Sequence, residues 1–298
     1  MNGVLEKPAK DPFKIFVKIL YAISLVIYIY FLLDGMSFYQ TAFHERPHHE
    51  LYRSLRPAGF RGHGFGIVGT SMMLLMMLYS VRKRTRFFGE FGPVSRWLDI
   101  HIYLGIMGPL FVILHTSFKV SGIIAVSFWS MIAVATSGIL GRYLYLQIPR
   151  NQRGKALNLK EIEALSDEFS HMLKTELQLD EAQFEKLQYL SNAWVSPNEN
   201  IWLSIFRMMT ADVLKVFENR RLRKRFKKEL GLKGKLLKNA VTLINRKTQL
   251  QRRMLMLNKV YRLFHYWHIF HKPFAVLMFI ILFIHVGVAI WLGYTWAF

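Results

Sequence analysis

Two apolar stretches of this chain each hold a pair of histidines, His101 with His115 and His271 with His285, fourteen residues apart in both cases. On an α-helix fourteen residues is close to four turns, so the members of a pair share a face, about 21 Å apart along the axis. Ionisable side chains inside a bilayer are costly and usually functional. Imidazole binds metals through either ring nitrogen. Four imidazoles at matched heights on two helices are a ligand set for two bis-histidine haem irons stacked across a membrane.

Neighbouring residues extend the pattern. Gly105 and Gly108 follow His101 at four and seven residues, on the face of the pair, and leave room for a ring against the backbone. Ala275 and Met278 take those places on the other helix. Small residues also serve ordinary helix packing. Arg96, Arg142, Arg262 and Lys272 gather at one end as candidate partners for haem propionates, and Lys119 and Tyr294 at the other. His268 lies one turn before His271. It could replace it as ligand, but the matched spacing selects His271 and leaves His268 as a propionate or quinone-site partner. His63, in a glycine-rich stretch, reads as an interfacial residue or the lining of a quinol site.

These histidines need membrane helices to hold them. The chain has 298 residues, 52% of them hydrophobic, gathered in runs that indicate five spans: residues 13–33, 63–81, about 97–118, about 122–145 and about 261–296. The first run is too long for a signal peptide and lacks a small-residue cleavage site after it, so it is expected to stay as a span. The absence of cysteine excludes disulfides, cysteine-ligated iron–sulfur clusters and thioether-attached haem within this chain.

The formal charge of +21 is unevenly spread: residues 215–262 hold 17 Lys/Arg against Glu218 and Glu229. Lys7, Lys10, Arg82, Lys83, Arg84 and Arg86 add to the same side of a five-span topology. The positive-inside bias therefore predicts a cytoplasmic N-terminus and insert, with the C-terminus outside. Trp291, Tyr294 and Trp296 suit one interface, and Trp97 and Trp267 the other.

Three regions follow: spans one to four in 1–148, a basic helical insert in 149–260, and span five in 261–298. The expected fold is an all-α, five-span bundle with a cytoplasmic helical insert between spans four and five. Asn158 with Glu161, and Ser196, Pro197, Asn198 and Glu199, carry helix-start signals, and Gly231 and Gly234 break the basic stretch. Clustered Lys/Arg beside a span attracts anionic lipid or an acidic electron-transfer partner. Nucleic acid is not expected.

The paired histidines, H101-x13-H115 and H271-x13-H285, resemble the ferric reductase and NADPH oxidase transmembrane superfamily. That resemblance covers mainly residues 60–145 and 261–298. It implies two b haems, held by His101 with His271 at the inner side and His115 with His285 at the outer side, passing electrons singly across the bilayer. The family's flavin and nicotinamide module has no counterpart here: 13 residues follow His285, and no Rossmann-like glycine fingerprint follows a strand. The large insert also departs from the family's pattern. The resemblance thus implies an electron-transfer subunit of a redox complex, not a self-contained enzyme, with a partner protein or a quinone supplying or accepting electrons.

Two rivals rest on other residues. His44, His48 and His49, with Met72, Met73, Met76 and Met77, form an imidazole cluster beside a thioether-rich span, a pattern that suits copper or another metal ion in transit. The other rival is a haem-free scaffold that displays the helical insert.

Overall fold

A computed structural model of the chain describes residues 11–85, 91–149, 157–177, 185, 201–229 and 231–294. Arg86, the start signal at 196–199 and Trp296 lie outside them. Among the described residues there are helices and no strand. Five helical stretches are long and apolar enough to cross a membrane.

The first, α1 (Pro12–Asp34), opens with the Asp11 side chain accepting from the Phe13 N–H at 3.0 Å and with proline at its first position. Both features satisfy or remove amide donors that the first turn leaves free. Short helices α2 (Met36–Gln40) and α3 (Tyr52–Leu55) follow. The second such stretch is α4 (Phe60–Met76), continued through Met77 by α5 (Leu78–Arg84). The third is α6 (Val94–His115) and the fourth α7 (Gly122–Gln147). Ser117, Phe118 and Gly122 all have positive φ between them, so the chain reverses within a few residues.

After α8 (Leu159–Leu177) and α9 (Ile201–Glu229) comes α10, a single helix over Gly234–Trp291 of 58 residues. The helix begins well before residue 261, where span five is expected to enter the membrane, and joins the end of the insert to the span without a break. The apolar run begins near residue 261, but nothing stops the helix upstream. Gly231 and Gly234, both at positive φ, form the break, and helix-compatible residues fill the stretch between them and the span.

The chain divides into two compact units, one built from Arg142–Tyr266 and the other from Lys7–Gly141 with Trp267–Phe298. In the second, α6 packs against α4 and α1. A Cβ at Gly69 would stand 2.8 Å from Val112 Cγ2 and 2.9 Å from the Gly108 carbonyl. The absence of side chains at Gly69 and Gly108 is thus what lets the two backbones approach. Aromatic residues fill the other face of α6: Tyr21 meets Tyr103 edge-on at 5.0 Å, and Ser24 Oγ lies 2.5 Å from the Tyr103 hydroxyl.

In the Arg142–Tyr266 unit, Ile162 and Leu173 of α8, Phe226 of α9, and Leu243 and Ile244 of α10 are almost fully buried together. The helix start at Asn158 forms as its spacing predicts. The Glu161 N–H donates to Asn158 Oδ1, and the Asn158 N–H to Glu161 Oε2, each at 2.8 Å.

Candidate metal centre

The four histidines lie on two helices, His101 and His115 on α6 and His271 and His285 on α10. All four are half-buried. His271 is within Coulombic reach of His101, and His115 of His285.

Three of the rings are held by their Nδ1 atoms. His101 Nδ1 lies 2.9 Å from the Met76 carbonyl, and His115 Nδ1 lies 2.9 Å from the Gly62 carbonyl. A carbonyl only accepts, so Nδ1 of each neutral ring carries the proton and Nε2 keeps a lone pair. His271 Nδ1 is 2.8 Å from Ser137 Oγ, whose own hydroxyl donates to the Val134 carbonyl at 2.9 Å. With that proton committed, Ser137 Oγ accepts from the ring, and Nε2 of His271 is again the free donor atom. Metal-ligating histidines almost always carry such a bond on the other ring nitrogen, because it fixes the tautomer and the ring plane.

The rings also depend on missing side chains. A Cβ at Gly66 would lie 2.7 Å from His115 Nδ1. A Cβ at Gly141 would run into the Trp267 indole, whereas one at Gly138 would meet His271 Cε1 only at ordinary contact distance. Trp267 donates from Nε1 to the Ser137 carbonyl at 2.7 Å, and its ring lies 4.8 Å from that of His271. Gly62, Gly66, Met76, Ser137 and Trp267 thus hold the histidines, and the spacing argument selected none of them for this. Their signal lies in contacts between helices, which a linear pattern does not carry.

Other expected site residues go elsewhere. Gly108 serves the crossing with α4, where a Cβ would meet Met73 Cγ at 3.1 Å and the Gly69 carbonyl at 3.2 Å. At Gly105 a Cβ would meet only Met76 Sδ, at 3.5 Å, so this position retains space. Arg142 belongs to the Arg142–Tyr266 unit, with its guanidinium over the Tyr145 ring. His268 packs edge-on against Trp267 at 4.5 Å and lies within Coulombic reach of His271. The run His44, His48, His49 does not converge: His44 sits by Glu45, while His49 Nδ1 accepts from the Leu51 N–H. Among the described residues no group of three His, Asp or Glu is placed to hold a metal ion.

Neutral imidazoles with Nε2 free are the kind of donor that holds iron between paired histidines. Midway between His271 and His285, Met278 is buried with Met73, Met76 and Met131. No family model, no curated protein and no solved structure matches this chain.

Proposed function

We propose that the chain is a membrane-bound b-type cytochrome, carrying two bis-histidine haems and relaying electrons between the two ends of its bundle as a subunit of a redox complex. The observation that carries this reading is the commitment of Nδ1 in His101, His115 and His271 to oxygen acceptors, which leaves Nε2 of each ring as a ligand atom. His101 with His271 would hold one iron, and His115 with His285 the other. A haem supplies a one-electron ferric–ferrous couple when bound. The chain's own residues hold the ring planes through Met76, Gly62 and Ser137, buttress His271 with Trp267, and surround the path with apolar side chains.

The electron partner is a protein or a quinone. On the Lys/Arg bias, the N-terminus and the insert are cytoplasmic and the C-terminus is outside. The basic insert suits contact with anionic lipid or an acidic partner.

The test is a reduced-minus-oxidised spectrum with iron quantitation on purified protein. We expect a b-type band and two haems per chain. Loss of the same haem in His115→Ala and His285→Ala, and of the other in His101→Ala and His271→Ala, would establish the pairing. A colourless protein would end this reading. A second reading draws on the four buried methionines, since thioethers from α4, α7 and α10 meet there and suit Cu(I). Copper uptake that is lost in Met73→Leu and Met278→Leu, in a protein without haem, would favour it.

A further inference from the structure

Helix α9 packs on one side and carries a second apolar line on the other. Leu222 and Phe226 sit in the core shared with α8 and α10, and Asn219 Oδ1 accepts from Asn245 Nδ2 at 2.6 Å. At about 100° per residue, positions 219, 222 and 226 fall within about 60° of one another. Roughly opposite them lie Leu203, Phe206, Leu214 and Phe217, which share an arc of about 80°. All four are exposed, Phe206 at 64% and Phe217 at 63%. An exposed apolar patch bordered by charge marks an interaction site, whereas single scattered residues do not.

The same line continues into charge. Arg221, Lys224 and Lys228 follow Phe217 close to whole helical turns, so they share its face, and all three are exposed. The ion pairs seen among the described residues are His44 with Glu45, Arg61 with Asp34 and Arg96 with Asp11, and none involves these cations. The described part of this face holds no carboxylate. Whatever covers it brings apolar side chains over about 21 Å of helix, then negative charge over about 16 Å more.

Lipid, a second copy of the chain and an acidic protein are the occupants to separate. Helix α9 runs antiparallel to α10: Asn219 meets Asn245, while Phe226, further on, is buried with Ala240 and Val241, which precede Asn245. The basic half of the face therefore stands level with the opening turns of α10. From Ala240 to Tyr261, where the apolar run begins, is about 32 Å of helix. Attraction to anionic headgroups fades within a Debye length of about 8–10 Å. A bilayer entered at residue 261 thus leaves the basic half without a counter-charge. A second copy brings the same cations to the face and no carboxylate. A protein with an acidic, amphipathic segment satisfies both halves.

We propose that the outward face of α9 docks an acidic protein, whose apolar side chains cover Phe206 and Phe217 and whose carboxylates meet Arg221, Lys224 and Lys228. The aromatic pair supplies the apolar centre of the contact. Complementary charge speeds encounter and fixes its register. The proposal rests on the reading of α10 as a membrane helix and not on the haems, so a colourless protein leaves it standing.

The test uses full-length protein in phosphatidylcholine nanodiscs. The probe is a fluorescein-labelled helical peptide with leucines along one face and glutamates clustered at one end of it; the control has lysine in place of each glutamate. Anisotropy should show saturable binding of the glutamate peptide to loaded discs and not to empty ones, about tenfold tighter than the lysine peptide. The triple variant Arg221→Glu, Lys224→Glu, Lys228→Glu should reverse that preference. Phe206→Ser with Phe217→Ser should weaken binding about tenfold. In wild type, salt at about 0.5 M should weaken it as well, a measurement that needs no variant to fold. Equal binding of the two peptides, a preference that survives charge reversal, or binding indifferent to salt overturns the proposal. A dimer in light scattering that Phe206→Ser dissolves overturns it in favour of a second copy. A blue shift of a fluorophore on Phe206→Cys when phosphatidylglycerol enters the discs, without peptide, overturns it in favour of lipid.

Discussion

At the scale of single residues, the histidines are defined by what holds their second nitrogen. Ser137 does this for His271 through its hydroxyl, while its backbone carbonyl separately accepts from Trp267. Ser137→Ala removes the bond to His271, together with the hydroxyl's own bond to the Val134 carbonyl, and keeps the acceptor for Trp267. It should weaken haem retention at the His101–His271 site by about 10–100-fold, measured as the haem lost on dilution, and leave the other haem in place. Tyr39 offers a contrasting case. Its hydroxyl is buried and has no hydrogen-bond partner among the described residues. Tyr39→Phe should therefore raise stability at neutral pH by about 1 kcal/mol, because an unsatisfied polar group is costly to bury. Burial pushes the Tyr39 pKa up to about 12 from its ordinary 10.0, with Arg61 acting in the opposite direction. The hydroxyl stays protonated in the folded protein at a pH where the unfolded chain ionises. The group therefore adds no pH dependence below pH 10, and stability falls as the pH rises from 10 towards 12 because the unfolded chain ionises first. Thermal denaturation across that window should show the decline in wild type and a shallower one in Tyr39→Phe.

At the scale of elements, the crossing of α4 with α6 positions both α6 histidines, because their acceptors are carbonyls of Met76 and Gly62 at the two ends of α4. Gly69→Ala would drive a methyl group into Val112 and the Gly108 carbonyl. The forced separation should cost about 1–3 kcal/mol and loosen both haems in a thermal-shift and haem-retention assay. Gly105→Ala meets only Met76 Sδ at 3.5 Å, so any haem it loses reports ring space and not helix packing. The limits of α1, α6 and α7 were legible within a few residues from hydrophobicity and turn chemistry. For α10, the break at Gly231 and Gly234 was legible; that the helix begun there runs on without interruption into the apolar stretch was not, because hydrophobicity marks where a helix enters lipid and not where it starts.

For the whole molecule, five apolar helices and a basic insert lead to a testable topology. The chain contains no cysteine, so single cysteines report position without background. Lys238→Cys and Tyr294→Cys, both at exposed positions, should be modified from opposite sides of the membrane by an impermeant maleimide, with Tyr294→Cys reached from outside intact cells. Labelling of both from one side would contradict the five-span arrangement. The sequence by itself determined the number of long apolar helices, the matched histidine pairs and the side expected to carry the charge. These are linear properties: period, composition and spacing along a helix axis. Only the tertiary structure decided that Gly108 packs a helix crossing, that Ser137 and two backbone carbonyls hold the imidazoles, and that Arg46 sits buried against the Ser117 carbonyl beyond the end of α6. Each of those depends on residues far apart in the chain meeting across an interface, and hydrogen-bond geometry and van der Waals contact are decided there.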